Sequence, residues 1–196
     1  GAVRPSLIRG DRRAELPEGL LPWQAGAGKG GRKQLAKHMQ ERLLPVEWAR
    51  LPSPHMTPEL MFKLAEDVQA MLNRPDVGGA VITHGTDLME ETAFMLDLVL
   101  EAKKPVVITG SMYSHGEAGY DGLRNLASAI RACALPLPQG TGVVLLMTDK
   151  LFSAREVTKV HSMGVDAFDA PGAGPLGTAV AGGTQPFRIP VPHSSL

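Results

Sequence analysis

Three short apolar runs constrain the fold of this sequence most, and each is followed by a polar loop. They are Ala80–Thr83, Val106–Gly110 and Val143–Met147, and none of them alternates polar with apolar residues. Helical patterns separate them, from Leu88 to Glu101 and from Gly122 to Ala134. Apolar strands that alternate with helices are typical of a parallel sheet that is buried on both faces. The sequence therefore predicts an α/β fold with a mainly parallel, three-layer sheet.

One more helix is predicted ahead of these elements, from Pro58 to about Asn73. Thr57 can cap it with its hydroxyl, and proline is well suited to the first helical position. The apolar residues that would share one helix face are Leu60, Leu64, Val68, Met71 and Leu72.

The composition is that of an ordinary globular protein. Apolar residues make up 43% of the 196 residues, charged residues make up 20%, and the formal net charge is zero. This length suits one domain, and a neutral chain has no general attraction for nucleic acid. The single cysteine, Cys133, lies in an apolar helical pattern and is expected in the core. No apolar run approaches the ~18 residues of a membrane span, and no signal peptide pattern is present, so we predict a cytoplasmic protein without membrane contact.

The first 50 residues are basic, with ten Lys or Arg against five acidic residues. An arm that binds nucleic acid would need more aromatic residues than Trp23 and Trp48, so a solvated segment is the favoured interpretation. The glycines of Gly26–Gly31 resemble a phosphate loop only weakly, because no strand precedes them and no Ser or Thr follows the lysine. We divide the chain into an irregular basic segment (1–22), an α/β domain (23–190) and a tail or linker (191–196).

A polar quartet, His84-Gly85-Thr86-Asp87, lies between the first predicted strand and the helix that follows. Asp87 and Glu90 have the spacing of a capping box, which predicts that Asp87 caps this helix. A cap does not explain the other three residues. Loops at the carboxyl ends of strands form ligand sites in α/β sheets, and the free amides of a helix start favour a substrate carboxylate or an oxyanion.

Two further polar segments, 110–122 and 148–160, follow the next two strands. Three neighbouring strand ends could therefore face one cleft. A threonine hydroxyl such as that of Thr86 reacts only if a base removes its proton, and a buried, neutral lysine can be that base. Lys159, between Thr158 and Val160, is the candidate.

The histidines do not predict a metal site, because none of their spacings matches a metal-binding motif. Those considered are His55, His84, His115 and His161. The nucleophile elbow of serine hydrolases is absent too, since Ser111 and Ser114 lack the G-x-S-x-G frame.

Five segments, in this order, closely resemble the bacterial-type L-asparaginases, the asparaginase/glutaminase family of threonine amidohydrolases. They are VITHGTDLMEETAFMLDLVL, KKPVVITGSM, DGLRNLASAIR, FSAREVTKV and GPLG. The similarity extends from about Trp23 to about Arg188, and its HGTD-x-x-EE block is highly specific. It implies most of the N-terminal α/β domain of that family and no metal or organic cofactor.

The resemblance also implies the site residues. Thr86 and Asp87 match the Thr-Asp pair of the family, Lys159 matches its catalytic lysine, and Ser53 matches the serine that holds the substrate carboxylate. Substrate binding is accordingly placed at Ser53, Gly85, Thr86, Asp87 and Ser111. Thr86 would activate water or relay a proton, Lys159 would be the base, and Asp87 would hold the substrate ammonium.

The implied reaction is hydrolysis of L-asparagine, or of L-glutamine, with release of ammonia through a threonine acyl-enzyme. Full-length members of the family form homodimers or homotetramers, which the resemblance implies for this protein as well. Two departures concern substrate contacts. Pro54 follows Ser53 where the family often has an acidic or amide residue, and Trp23 stands where it often has a tyrosine.

A third departure concerns the nucleophile. The family carries its attacking threonine in a TGGTI segment that ends a first apolar strand, and residues 1–22 contain no such segment. We therefore expect a gap or an irregular substitute beside Ala80–Thr83. The alternative function is that of a truncated, inactive fragment or pseudoenzyme that retains amino-acid binding.

Overall fold

A computed structural model describes residues 4–9, 43–101, 103–134, 137–138, 140–180, 183–186 and 188. Trp23, the glycines of Gly26–Gly31 and the tail 191–196 lie outside the described residues, as does the basic N-terminal segment apart from residues 4–9.

The three predicted helices are present. They are α1 (Pro58–Leu72), α2 (Met89–Val99) and α3 (Gly122–Ala134). The hydroxyl of Thr57 accepts a hydrogen bond from Leu60 N–H at 3.4 Å, which confirms the predicted N-cap of α1. Helix α2 begins one residue later and ends two residues earlier than the predicted range.

Among the residues that the structure describes, eight strands form one mixed sheet and two form a small separate one. The strands are β1 (Arg4–Arg9), β2 (Leu43–Pro45), β3 (Val77–Thr83), β4 (Val106–Thr109), β5 (Val143–Met147), β6 (Lys150–Ser153), β7 (Thr158–Lys159), β8 (Phe168–Asp169), β9 (Gly177–Val180) and β10 (Gly183–Pro186). The order in the large sheet is β10-β9-β6-β5-β4-β3-β1-β2. Strands β3, β4 and β5 pair in parallel, with Thr83 opposite Thr109, which confirms the predicted parallel centre.

Antiparallel strands extend this centre on both sides. Strand β6 pairs with β5 so that Met147 lies opposite Lys150, and Thr148 and Asp149 alone form the turn between them. Both turn residues have positive φ, of 48° and 62°. The prediction of a long polar loop after β5 was therefore wrong, because the chain reverses at once into a hairpin.

A strand also lies beside β3, where we expected a gap or an irregular substitute. Strand β1 pairs antiparallel with β3, so that Arg4 lies opposite Thr83, and only the pairing between Ile8 and Arg9 is irregular. The expected gap is thus absent, and the edge of β3 finds backbone partners in residues 4–9.

The large sheet separates two apolar layers. On one face, α1 and α2 pack against residues such as Ile82, Ile108 and Leu145. On the other face, α3 packs against the alternate residues of the same strands, including Val81 and Val144. Because successive side chains of a strand point to opposite faces, strands covered on both sides must be apolar throughout.

Helix α3 approaches β3 very closely at Gly79. A Cβ atom at this position would lie 2.6 Å from the Sγ of Cys133 and 2.8 Å from the carbonyl oxygen of Pro105. Cys133 is 2% exposed, which confirms its predicted place in the core. Among the described helices, none is both long enough and apolar enough to cross a membrane.

Candidate active site

The loop between β3 and α2 does not contain the predicted helix cap. Helix α2 starts at Met89, and Leu88 takes the cap position without any side-chain hydrogen bond to the helix. The capping-box prediction for Asp87 and Glu90 was therefore wrong. The Asp87 carboxylate accepts a hydrogen bond from Ser53, and the Glu90 carboxylate accepts one from Thr158. These two acidic residues therefore bind residues that are distant in sequence and do not cap the helix.

Thr86, Asp87 and Lys159 meet at the carboxyl end of β3. The Lys159 ammonium donates a hydrogen bond to Thr86 Oγ1 at 3.0 Å and a longer one to Asp87 Oδ1 at 3.4 Å. The Lys159 side chain is 17% exposed, whereas that of Asp87 is 60% exposed. A hydroxyl, a lysine and a carboxylate are therefore in direct contact, and the carboxylate faces solvent.

Ser53 joins this group from the other side. It opens a single turn of 3-10 helix, Ser53–His55, and is 2% exposed. Its hydroxyl donates to Asp87 Oδ2 at 3.3 Å and accepts from Asp87 N–H at 3.2 Å. This reciprocal pair fixes the carboxylate that contacts Lys159.

Lys159 reaches the site by a route that the sequence did not predict. We expected the end of a third strand of the large sheet, but Lys159 belongs to β7, which pairs with β8 in a separate two-stranded sheet. Thr158 lies opposite Asp169, and Lys159 lies opposite Phe168. The convergence of the three groups is thus present, although three neighbouring strand ends do not produce it.

His84 holds the loop in place beneath these groups. Its ring is buried, with Nδ1 2.6 Å from the Gly85 carbonyl oxygen and Nε2 3.1 Å from Thr92 Oγ1. Because a carbonyl oxygen only accepts, Nδ1 carries the hydrogen. Burial lowers the pKa of His84 below its ordinary value, against the opposing effect of the Gly85 carbonyl. A neutral imidazole therefore links the loop to α2.

Comparison with known proteins identifies the domain. The sequence model described as "Asparaginase, N-terminal" matches residues 25–190. The chain belongs to the asparaginase family. It is 42% identical over 147 residues to a probable L-asparaginase of Deinococcus radiodurans, a match that covers 73% of this chain and 45% of that protein.

Two further relatives agree with this assignment. A glutaminase-asparaginase of Pseudomonas aeruginosa is 38% identical over 142 residues, covering 72% of this chain and 39% of that protein. The crystal structure of a probable cytoplasmic L-asparaginase from Campylobacter jejuni matches with a TM-score of 0.70 and 37% identity, over 73% of this chain and 44% of the other. The chain thus spans less than half the length of these relatives.

Gly85 and Ser111 are the other predicted binding residues of this asparaginase-family domain, and of the two only Gly85 directly precedes Thr86 in the chain. The Gly85 carbonyl accepts from His84, so the position of its backbone is fixed. Ser111 is half-buried just after β4. The preceding residue, Gly110, packs so closely that a Cβ there would lie 2.3 Å from the His84 carbonyl oxygen. Within the described part of the chain, Ser111 makes no hydrogen bond to Thr86, Asp87 or Lys159.

Two residues of this site were not predicted from the sequence. His84 was noticed only as an unexplained polar residue, and Glu90 was assigned to the helix cap. In the structure Glu90 accepts hydrogen bonds from the Thr158 hydroxyl and from Lys159 N–H. No local spacing links Glu90 to Lys159, since they lie 69 residues apart. Within the described ranges, no group of three or more His, Cys, Asp or Glu residues is placed to hold a metal ion.

Proposed function

We propose that this domain carries part of the active site of an amidohydrolase that converts L-asparagine into L-aspartate and ammonia. The observation that carries the proposal is the hydrogen bond of 3.0 Å between Lys159 Nζ and Thr86 Oγ1. Family membership supports the reaction class, and the names of the relatives include both asparaginases and a glutaminase-asparaginase. L-Glutamine is therefore a second candidate substrate.

The Lys159–Thr86 pair is suited to proton transfer. When the amine is neutral, its lone pair can accept the Thr86 proton at the observed separation, as water or another hydroxyl gives its own proton to Thr86. The proton taken up by Lys159 is then available to the departing ammonia.

Asp87 is suited to the substrate ammonium. One carboxylate oxygen contacts Lys159, the other contacts Ser53, and the side chain remains largely open to solvent. Ser53 gives its single proton to Asp87 in the present geometry, so its hydroxyl must rotate before it can donate to a substrate carboxylate. The backbone amides near Thr86, ahead of α2, supply candidate donors for the oxyanion.

The threonine acyl-enzyme implied by the resemblance needs an attacking threonine that we do not assign to a residue of this chain. The position beside β3 is filled by β1, with the sequence RPSLIR, which contains no threonine. This observation favours a second candidate function for the polypeptide of residues 1–196, namely amino-acid binding without turnover.

Homo-oligomerisation as a dimer or tetramer follows from the resemblance, and no organic or metal cofactor is required by the chemistry described above. A cytoplasmic location is supported by the similarity to the probable cytoplasmic L-asparaginase of Campylobacter jejuni.

The test is ammonia release by the purified protein in its natural length, with L-asparagine and with L-glutamine. We expect turnover, a raised KM for Asp87→Asn, and little effect of Asp76→Asn, an exposed carboxylate that pairs with Arg74 after α1. If the protein released no ammonia but bound L-aspartate in a calorimeter, amino-acid binding without turnover would be its function. Absence of both would refute the site.

A further inference from the structure

Glu90 connects the first turn of α2 to β7. Its Oε1 accepts a hydrogen bond from the Thr158 hydroxyl at 3.1 Å, and its Oε2 accepts one from Lys159 N–H. One carboxylate therefore contacts two consecutive residues of the strand that carries the lysine. Neither contact involves the Lys159 side chain.

Strand β7 needs such a partner because it is very short. It has two residues, and β8 pairs with one of its edges. Beyond the strand, Val160 N–H donates to the Ala167 carbonyl at 2.7 Å, which continues the pairing on that side. Isolated two-stranded ribbons are marginal in water, so the contact with α2 adds order that β8 alone cannot provide.

Helix α2 and its preceding loop thus contact Lys159 at both ends. Glu90 holds the backbone nitrogen, while Thr86 and Asp87 hold the side-chain nitrogen. A lysine side chain has four rotatable bonds, so its terminal nitrogen is placed reproducibly only if the backbone is fixed. We propose that Glu90 is a positioning residue that sets the distance between Lys159 Nζ and Thr86 Oγ1.

This inference rests on the proposed function, because it gives Glu90 a role through Lys159. The positioning role of Glu90 must be separated from a simpler one, the stabilisation of α2 by a negative charge near its N-terminus. An acidic residue in the first turn of a helix stabilises that helix through the helix dipole, and α2 has two of them, Glu90 and Glu91. Glu91 is exposed, so it shares the dipole role without the contact to β7. Glu91→Ala is therefore the matched control for Glu90→Ala.

The conservative variant separates hydrogen bonding from charge. In Glu90→Gln the amide oxygen can still accept from Lys159 N–H, and the amide nitrogen can donate to the Thr158 hydroxyl oxygen. Positioning by hydrogen bonds therefore predicts that Glu90→Gln keeps most of the wild-type kcat. Glu90→Ala removes both contacts, and Thr158→Val removes one of them while Lys159 N–H keeps its acceptor.

The kinetic test compares these variants in the protein of natural length. A displacement of a reacting group by about 1 Å can cost about 100-fold in rate, so we expect a loss of that order in kcat for Glu90→Ala. KM should change little, because Ser53 still holds Asp87. Thr158→Val should lose less than Glu90→Ala, and Glu91→Ala should match the wild type. Equal kcat values for Glu90→Ala and Glu91→Ala would overturn the inference, as would a Glu90→Gln enzyme as slow as Glu90→Ala.

A second measurement does not depend on turnover. In protein labelled with 15N-lysine, the side-chain signal of Lys159, assigned by its loss in Lys159→Gln, reports its hydrogen bond to Thr86. We expect Glu90→Ala to shift or broaden this signal, and Glu91→Ala to leave it unchanged. If the wild type hydrolyses no amide, the proposed function fails, and this signal still decides the inference. An unaltered Lys159 signal in Glu90→Ala would then overturn it.

Discussion

Asp97 connects α2 to β5 and to the segment that leads to Lys159, which makes it a sensitive point of the fold. Its carboxylate is 3% exposed and accepts hydrogen bonds from Val143 N–H at 2.7 Å and from Arg155 Nε at 2.6 Å. Gly142, with φ of 67°, packs so closely that a Cβ there would lie 2.1 Å from Asp97 Oδ1. We predict that replacement of Asp97 destabilises the domain strongly.

The size of the effect follows from the two partners. Removing one member of a buried ion pair costs about 3–5 kcal/mol, and the lower end applies because Arg155, 23% exposed, can reach water. A buried Val143 N–H without an acceptor adds about 1 kcal/mol. We therefore expect a loss of about 4 kcal/mol for Asp97→Ala. Asp97→Asn should lose about 3 kcal/mol, because its amide oxygen can still accept from Val143.

Urea unfolding followed by circular dichroism measures both values. Lys63→Ala is the control, because it breaks an exposed ion pair with Asp67 on α1 and should cost about 0.5 kcal/mol. If Asp97→Ala lost no more free energy of unfolding than Lys63→Ala, the Asp97 contacts would not be those that hold α2 to β5.

Three other predictions concern the loop, the hairpin and the isolated polypeptide. Because burial lowers the pKa of His84 below 6.5, the unfolded chain takes up a proton first as the pH falls. The free energy of unfolding should therefore decrease from pH 7 to pH 5. The decrease should be smaller in His84→Gln than in the control His161→Gln, which replaces an exposed histidine. An equal decrease in the two variants would contradict this prediction. Thr148→Asn should stabilise the β5–β6 turn by about 1 kcal/mol, since a β-branched residue at positive φ is strained. An unchanged midpoint of urea unfolding would show that Thr148 does not strain the turn. The polypeptide of residues 1–196 should release no more ammonia from L-asparagine than its Lys159→Met variant, and an excess would mean that Thr86 or another hydroxyl attacks unaided.

Helices and strands whose bounds depend on the local sequence pattern were predicted best. The bounds of α3 and β5 were predicted to the residue, because an aspartate precedes the amphipathic helix and a proline follows it closely, while Gly142 and a threonine flank the apolar run. The turn at Thr148 and Asp149 was missed, since neither residue is the glycine or asparagine that usually marks a two-residue hairpin. Here Asp149 is held instead by hydrogen bonds from the side chains of Arg124 and Ser128.

The failures at the site have a different cause. Asp87 and Glu90 fit a capping box, but their carboxylates bind Ser53, Lys159 and Thr158, which lie far away in sequence. Local propensity gave way to tertiary contacts that no spacing reveals. Thr86, Asp87 and Lys159 converge in the structure, but the periodicity of the sequence did not indicate the route by which Lys159 reaches the other two.

The role of the Lys159–Thr86 pair is tested most directly by the rate of ammonia release from L-asparagine by Thr86→Val in the protein of natural length. This change removes the hydroxyl that contacts Lys159 with little change in volume, and Thr178→Val on the distant strand β9 is its matched control. We expect Thr86→Val to lose several orders of magnitude in kcat, Thr178→Val to lose almost none, and both variants to unfold at the urea concentration of the wild type. A Thr86→Val enzyme that kept most of its activity would contradict the central role of the Lys159–Thr86 pair.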